Sequence, residues 1–280
     1  MRHVLAAADD SAEGRAAILV ASRLAQQCRA RLTVLTVADI AQGESAKDAA
    51  LRGLRATVDA ALAPLATKPR VELAVALGLP GVEIGRLAES SDADLIVIGR
   101  KRRSEMQRRL LGDTADAVAR RSHIPCLFVL TGDHRFERVL VGLDGTERGL
   151  SVLVAALGFT RDVGAQLRVV SVEVDHREDS RPPLLTGRSA RLVRAVDELR
   201  NATSLGRGRW DLALDAHGES PIVIRRGPIV GSLIQEIDSF QADVLVVGNH
   251  RGGPAGVIEG GSTARRLAHE APCAVLTIPL

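Results

Sequence analysis

Short apolar runs alternate with longer amphipathic stretches along the whole chain. Residues 4–8 form an apolar run of strand length, and Ser11 stands where it can cap a helix that we expect to reach about residue 30. A second strand is predicted over residues 32–37, and a second helix over about 45–66. Continuous apolar strands separated by helices predict a parallel sheet that is covered on both faces.

The chain also contains an internal repeat. Three pairs of segments match in the same order: RHVLAAADDS (2–11) with RVLVGLDGT (138–146), DADLIVIG (92–99) with ADVLVVG (242–248), and SHIPCLFVL (122–130) with EAPCAVLTI (270–278). Chance similarity would not preserve that order, so the repeat indicates a duplication. We expect one α/β domain over residues 1–132 and a second over residues 137–280.

Composition narrows the class of protein. The 280 residues carry a net charge of +3 and only 2% aromatic residues, which argues against a nucleic-acid partner because single-strand binders stack bases on aromatic rings. The three cysteines, Cys28, Cys126 and Cys273, are an odd number and predict no disulfide framework. No apolar run approaches the roughly 18 residues of a membrane span. We therefore expect a cytoplasmic protein without a membrane partner.

Two loops in each copy follow strands where a ligand would bind. In an open parallel sheet, ligands bind beyond the carboxyl ends of the strands. Asp9 and Asp144 follow the first strand of each copy, and their carboxylates can accept hydrogen bonds from a ribose or a base edge. The alternative is that they serve as turn or helix-capping residues, and for Asp144 we favour the ligand contact. Residues 248–263, GNHRGGPAGVIEGGST, follow the fourth strand of the second copy, and their glycines let backbone N–H groups approach a phosphate.

These features resemble the universal stress protein family over both copies. That family pairs an Asp at the end of strand one with a late loop reading Gly, two residues, Gly, nine residues, Gly, Ser/Thr. In the second copy the resemblance implies these adenine-nucleotide contacts: Asp144, Gly145, Val172, Gly248, Arg251, Gly252, Gly253, Gly261, Ser262 and Thr263. Val172 corresponds to the apolar residue that packs against adenine. Arg251 replaces the middle Gly, and a one-residue shift that aligns Gly252 and Gly260 instead stays open.

The first copy departs further from the family pattern. Its corresponding candidates, which match less well, are Asp9, Val37, Gly99 and Gly112. Arg102 stands where Gly is expected, and Asp113 stands where Ser or Thr is expected. A carboxylate at that place repels phosphate oxygens by about 1 kcal/mol at 4 Å in water. We therefore predict a degenerate nucleotide site in the first copy.

The resemblance implies a fold and a function. Each copy is expected to be a doubly wound, Rossmann-like parallel sheet of five strands in the order 3-2-1-4-5. The last strands of the two copies are expected to pair antiparallel, which makes the chain a pseudo-dimer and leaves a further homodimer open. The implied function is ATP binding in the second copy, with or without Mg²⁺, in a stress response exerted through conformation or through an unidentified protein partner.

Two alternatives to this function stay open. One is a nucleotide-free signalling or scaffold protein of the same family. The other is an enzyme of the wider adenine-nucleotide α-hydrolase-like group that performs adenylation or thiolation. The sequence contains no GxSxG, HExxH or CxxC motif, so we expect at most slow ATP hydrolysis and no resident metal site.

Overall fold

The computed structural model describes residues 1–40, 43–101, 114–132, 135–144, 146–173, 192–198, 213–215, 218–220, 222–249 and 262–280. The strands are β1 (His3–Ala7), β2 (Arg31–Ala38), β3 (Val71–Leu77), β4 (Leu95–Gly99), β5 (Cys126–Val129), β6 (Arg138–Leu143), β7 (Gln166–Glu173), β8 (Ala213–Asp215), β9 (Gly218–Ser220), β10 (Val223–Arg226), β11 (Val244–Asn249) and β12 (Ala274–Pro279). The helices are α1 (Ala12–Cys28), α2 (Gly43–Leu62), α3 (Pro80–Ser90), α4 (Thr114–Arg121), α5 (Glu147–Val163), α6 (192–198), α7 (Ile229–Phe240) and α8 (Ser262–Glu270).

The chain divides into two compact units. Unit 1 is Met1–His134 with Asn249–Glu270 and Ala274–Pro279, and unit 2 is Arg135–Gly248 with Ala271–Cys273 and Leu280. Helix α8 and strand β12 belong to the second copy of the repeat by sequence, but they pack within unit 1.

The sheet of unit 1 runs in the order β3-β2-β1-β4-β5-β12. Strands β1 to β5 are parallel, whereas β12 pairs antiparallel with β5, with Leu276 opposite Leu127. In unit 2, β10-β7-β6-β11 form a parallel sheet that repeats the order 3-2-1-4. The predicted fold class and the predicted antiparallel pairing of the last strands are confirmed.

Helix α1 shows how the sequence produces this layering. Ser11 caps the helix, and its hydroxyl accepts a hydrogen bond from the Gly14 N–H at 3.0 Å. The buried face of the helix is built largely from alanines, together with Ile18, Val20 and Leu24. Small side chains let the helix lie close to the sheet, which brings the first turn of α1 next to the ends of the strands.

One Asp in each unit ties the start of the first strand to the start of the fourth. Asp94 Oδ2 accepts hydrogen bonds from the N–H groups of Arg2 at 2.5 Å and His3 at 2.9 Å. Burial would raise the pKa of Asp94, but these two N–H groups and the positive charges of the N-terminus and Arg2 together lower the pKa below its ordinary value. In unit 2, Asp243 Oδ2 accepts from Glu137 and Arg138 at 2.8 Å each.

Two features of the described chain bear on the earlier expectations. Strands β8 and β9 form a short antiparallel hairpin that the apolar pattern did not predict. Within the described residues, no helix is both long and apolar enough to cross a bilayer.

Candidate functional site

A cavity of about 430 Å³ opens in unit 1 beyond the carboxyl ends of β1, β2 and β4. Ligand pockets in proteins are typically about 300–1,000 Å³. The apolar part of the wall consists mainly of Leu35, Val37, Ile84 and Ile98. The polar part includes Asp9 and Glu13, together with Arg100 and Lys101. The cavity therefore combines apolar and charged lining residues, as a site for a nucleoside or nucleotide requires.

Asp9 is held in a tight turn at the mouth of this cavity. Its Oδ1 accepts hydrogen bonds from the Ser11 N–H at 3.1 Å and from the Ser11 hydroxyl. Among the described residues, none donates to Oδ2, and the side chain is exposed. Asp9 thus forms a turn, which is one of the two roles that its sequence position suggests. Its second carboxylate oxygen is available to a ligand hydroxyl.

The same turn recurs in unit 2. Asp144 Oδ1 accepts hydrogen bonds from the N–H of Thr146 at 3.0 Å and from its hydroxyl at 2.7 Å. Thr146 in turn caps α5 by accepting from the Gly149 N–H at 3.2 Å. The two copies therefore build the same loop at the end of the first strand.

Close packing requires glycine at three positions next to these loops, in α1, α5 and β4. A Cβ on Gly14 would lie 2.3 Å from the carbonyl oxygen of Asp9, and one on Gly149 would lie 2.9 Å from Asp144 Oδ1. A Cβ on Gly99, at the end of β4, would lie 2.1 Å from the carbonyl oxygen of Glu13. A side chain at Gly14 or Gly99 would push α1 away from the strand ends and deform the cavity wall.

Two cations follow Gly99 in the cavity wall. Arg100 is 3% exposed, and its Nη1 donates to the carbonyl oxygen of His269 at 3.4 Å, near the carboxyl end of α8. A cation there is favoured by the partial negative charge of the helix terminus. Lys101 is largely exposed, and its Nζ lies 3.9 Å from Glu13 Oε2.

Behind the cavity, α4 is joined to α8 by a buried ion cluster. Asp116 accepts from Arg265 Nε at 2.9 Å and contacts His269 Nε2 at 2.7 Å. Burial would raise the pKa of Asp116, but the hydrogen bonds and charges of His269 and Arg265 outweigh it and hold that pKa below its ordinary value. Because Thr114 and Ala115 at the start of α4 line the cavity, this cluster also fixes part of its wall.

The predicted site residues fall into three groups. The cavity brings together Asp9, Val37 and Gly99. In the second copy, Asp144 follows β6, Val172 and Gly248 lie near the ends of β7 and β11, and Ser262 and Thr263 begin α8. Five lie outside the described residues in the second copy and one in the first: Gly145, Arg251, Gly252, Gly253, Gly261 and Gly112. A nucleotide site in the second copy thus stays a prediction, as does the degeneracy of the first.

Sequence reasoning missed Glu13 and Gly14 as parts of the site. A signal was present, since the pattern Asp-x-Ser/Thr-x-x-Gly occurs at residues 9–14 and again at residues 144–149. The helical register of α1 carries Glu13 and Gly14 to the cavity.

Comparison with known proteins gives a consistent result. The model of the universal stress protein family matches residues 1–129 and 135–279. A universal stress protein of Mycobacterium tuberculosis is 28% identical over 193 residues, which is 67% of this chain. The match covers 62% of that relative, so the chain spans less than two thirds of its length.

Solved structures agree on the fold. A universal stress protein from Archaeoglobus fulgidus is 18% identical, with a TM-score of 0.69, and the match covers 99% of this chain and 98% of that one. A structure from Pseudomonas aeruginosa is 17% identical, with a TM-score of 0.64 and coverage of 100% and 93%. Identities this low show the fold alone.

Proposed function

The chain belongs to the universal stress protein family, and we propose that it binds adenine nucleotides and acts in a stress response through its conformation or through a protein partner. The observation that carries this proposal is the cavity beyond β1, β2 and β4. It lies at the carboxyl edge of the parallel sheet, where doubly wound folds bind their ligands.

The described residues of the cavity fit a nucleoside. Val37 and Ile98 offer an apolar surface to the base, and the Oδ2 of Asp9 can accept a hydrogen bond from a ribose hydroxyl. The wall includes no His and no Cys among its described residues, so the carboxylates of Asp9 and Glu13 are its main candidates for proton transfer. This composition favours binding over catalysis.

In the second copy, we propose that ATP is bound at the equivalent place. Asp144 repeats the turn of Asp9, and Val172 stands 135 positions after Val37, the same interval that separates the two Asp residues. The glycine-rich residues 248–261 would supply backbone N–H groups to the phosphates. A bound Mg²⁺ would neutralise phosphate charge. Within the described residues, no group of three or more His, Cys, Asp or Glu side chains is placed to hold a metal.

Nucleotide content and titration test the proposal. The full chain, purified without added ligand, is denatured and any released nucleotide is identified by chromatography. ATP and GTP are then titrated into the wild type, Asp9→Ala and Asp144→Ala. We expect ATP to bind in preference to GTP, with the ATP signal reduced mainly in Asp144→Ala. A wild type that binds no adenine compound would exclude the proposal and favour the nucleotide-free scaffold.

A further inference from the structure

We infer that Glu13 sets the charge preference of the unit 1 cavity, which takes adenosine or a singly phosphorylated adenine nucleoside in preference to ATP. This inference rests on the proposed function, because it concerns the same cavity. It assigns Glu13 a role as a specificity-determining residue and gives the two copies of the repeat different ligands.

Glu13 is held firmly at the cavity wall. It lies in the first turn of α1, and its side chain is only 20% exposed. Its backbone is in contact with the end of β4, where Gly99 leaves no room for a Cβ. The carboxylate of Asp9 lines the same cavity. Two acidic residues thus line the cavity, one from the loop and one from the helix that follow β1.

Among the described residues, two cations lie near this charge. The side chain of Lys101 is 71% exposed, and its Nζ lies 3.9 Å from Glu13 Oε2, at the outer limit of an ion pair. Exposed ion pairs of this kind are weak, because solvent screens the two charges. Arg100 is buried, and its Nη1 donates to the carbonyl oxygen of His269 in α8. That hydrogen bond links one nitrogen of the guanidinium to α8.

The second copy reverses the charge at the equivalent position. Arg148 stands 135 positions after Glu13, and it precedes Gly149 as Glu13 precedes Gly14. The turn geometry is the same in both copies, so the substitution changes the charge beside the first-strand Asp while keeping the loop. A duplicated site that keeps its turn and reverses one charge is suited to ligands of different charge.

For a Glu13 carboxylate that lies about 4 Å from a ligand phosphate, the size of the effect follows from Coulomb's law. Two unit charges 4 Å apart interact by about 1 kcal/mol in water, which is about a fivefold change in affinity, and by more where water is excluded. A triphosphate carries several such charges, whereas adenosine carries none. Removal of the Glu13 charge is therefore expected to favour ATP and to leave adenosine almost unchanged.

The test uses the full chain carrying Asp144→Ala, so that the unit 1 cavity dominates binding. Adenosine, AMP and ATP are titrated into this protein with and without Glu13→Gln, and Glu89→Gln, on the exposed side of α3, is the control. We expect Glu13→Gln to strengthen ATP binding about fivefold and to change adenosine binding less than twofold. The gain should shrink in 1 M salt, where the Debye length is about 3 Å.

The outcomes separate this inference from the proposed function. If adenosine and ATP affinities change by the same factor in Glu13→Gln, the residue acts only as a structural part of the helix end, and the inference is wrong. The same holds if ATP binds the Asp144→Ala protein more tightly than adenosine does. If the wild-type chain binds none of the three compounds, the proposed function fails together with the inference.

Discussion

A methyl group on Gly99 would lie 2.1 Å from the carbonyl oxygen of Glu13. Glycine at position 99 therefore lets the end of β4 pack closely against the first turn of α1, and the cavity opens beside this position. The backbone of β4 and the backbone of α1 therefore pack directly against each other. The candidate site depends on this approach as much as on its charged side chains.

Gly99→Ala is expected to destabilise the protein and to weaken binding of adenine compounds. The clash is with backbone, which cannot rotate away, and overpacking of this kind costs about 1–3 kcal/mol. Thermal unfolding and ligand titration measure the two effects. Gly85→Ala in α3 is the matched control, because its Cβ would meet nothing within 4 Å. That substitution should stabilise the helix by about 0.5–1 kcal/mol. Equal melting temperatures for Gly99→Ala and the wild type would refute the packing argument.

Asp116→Asn is expected to lower the free energy of unfolding by about 2–3 kcal/mol at pH 7, since charged hydrogen bonds to Arg265 and His269 are weakened. The pKa of Asp116 in the folded protein lies below 3.8, its ordinary value. The stabilisation is therefore complete above about pH 4 and is lost as the pH falls through the folded pKa.

Denaturant unfolding of Asp116→Asn and of the wild type measures this stability difference. The measurements should run from about pH 2 to about pH 8, on both sides of the ordinary carboxyl pKa. The two stabilities should converge at the acid end. Asp59→Asn, on the exposed surface of α2, serves as the control and should change little. A difference between Asp116→Asn and wild type that stays constant at all pH values would show that the ion cluster does not carry the effect.

Glu236→Gln is expected to destabilise unit 2 by about 3 kcal/mol. The Glu236 side chain is 0% exposed, and its two oxygens lie 2.8 Å from Arg168 Nη1 and 2.6 Å from Arg225 Nη2. Loss of the buried charge leaves two guanidinium groups facing a neutral amide. In Glu83→Gln, by comparison, the lost pair is with Arg86, whose side chain is 74% exposed, and the loss should lower the free energy of unfolding by less than about 1 kcal/mol. Similar melting temperatures for the two variants would contradict this assignment.

The three thiols are expected to differ in reactivity. Burial raises the pKa of Cys126 to about 12, although a hydrogen bond with Ser122 opposes the rise, and Cys273 is also buried. Thiolate is the reactive form, so both should resist a thiol reagent in the native protein. Cys28 is only partly buried and should react first. Mass spectrometry after brief labelling identifies the modified residue, and rapid labelling of Cys126 would show that β5 opens readily.

Much of the fold could be predicted because its strands are short apolar runs in a repeated order. The pairing of β5 with β12 followed from the family resemblance. The hairpin of β8 and β9 was missed because its strands, ALD and GES, have three residues each and no alternation of apolar and polar positions. Strands of only three residues are too short to show a periodic pattern of apolar and polar positions in the sequence.

The site was only partly predictable. Asp9, Val37 and Gly99, which the family resemblance proposes as candidates at strand ends, all line the cavity. Glu13 was missed because its place in the cavity depends on the register of α1. Asp116 and His269 are 153 positions apart, and only the packing of α4 against α8 brings them together. No local pattern records such a contact.

A crystal structure of the full chain grown with saturating AMP tests the central claim most directly. We expect density for the nucleotide in the unit 1 cavity, with a ribose hydroxyl within hydrogen-bond distance of the Asp9 carboxylate and the base packed against Val37. A cavity without nucleotide, at a concentration that saturates binding in solution, would contradict it. So would a nucleotide bound only at a surface away from the carboxyl ends of the strands.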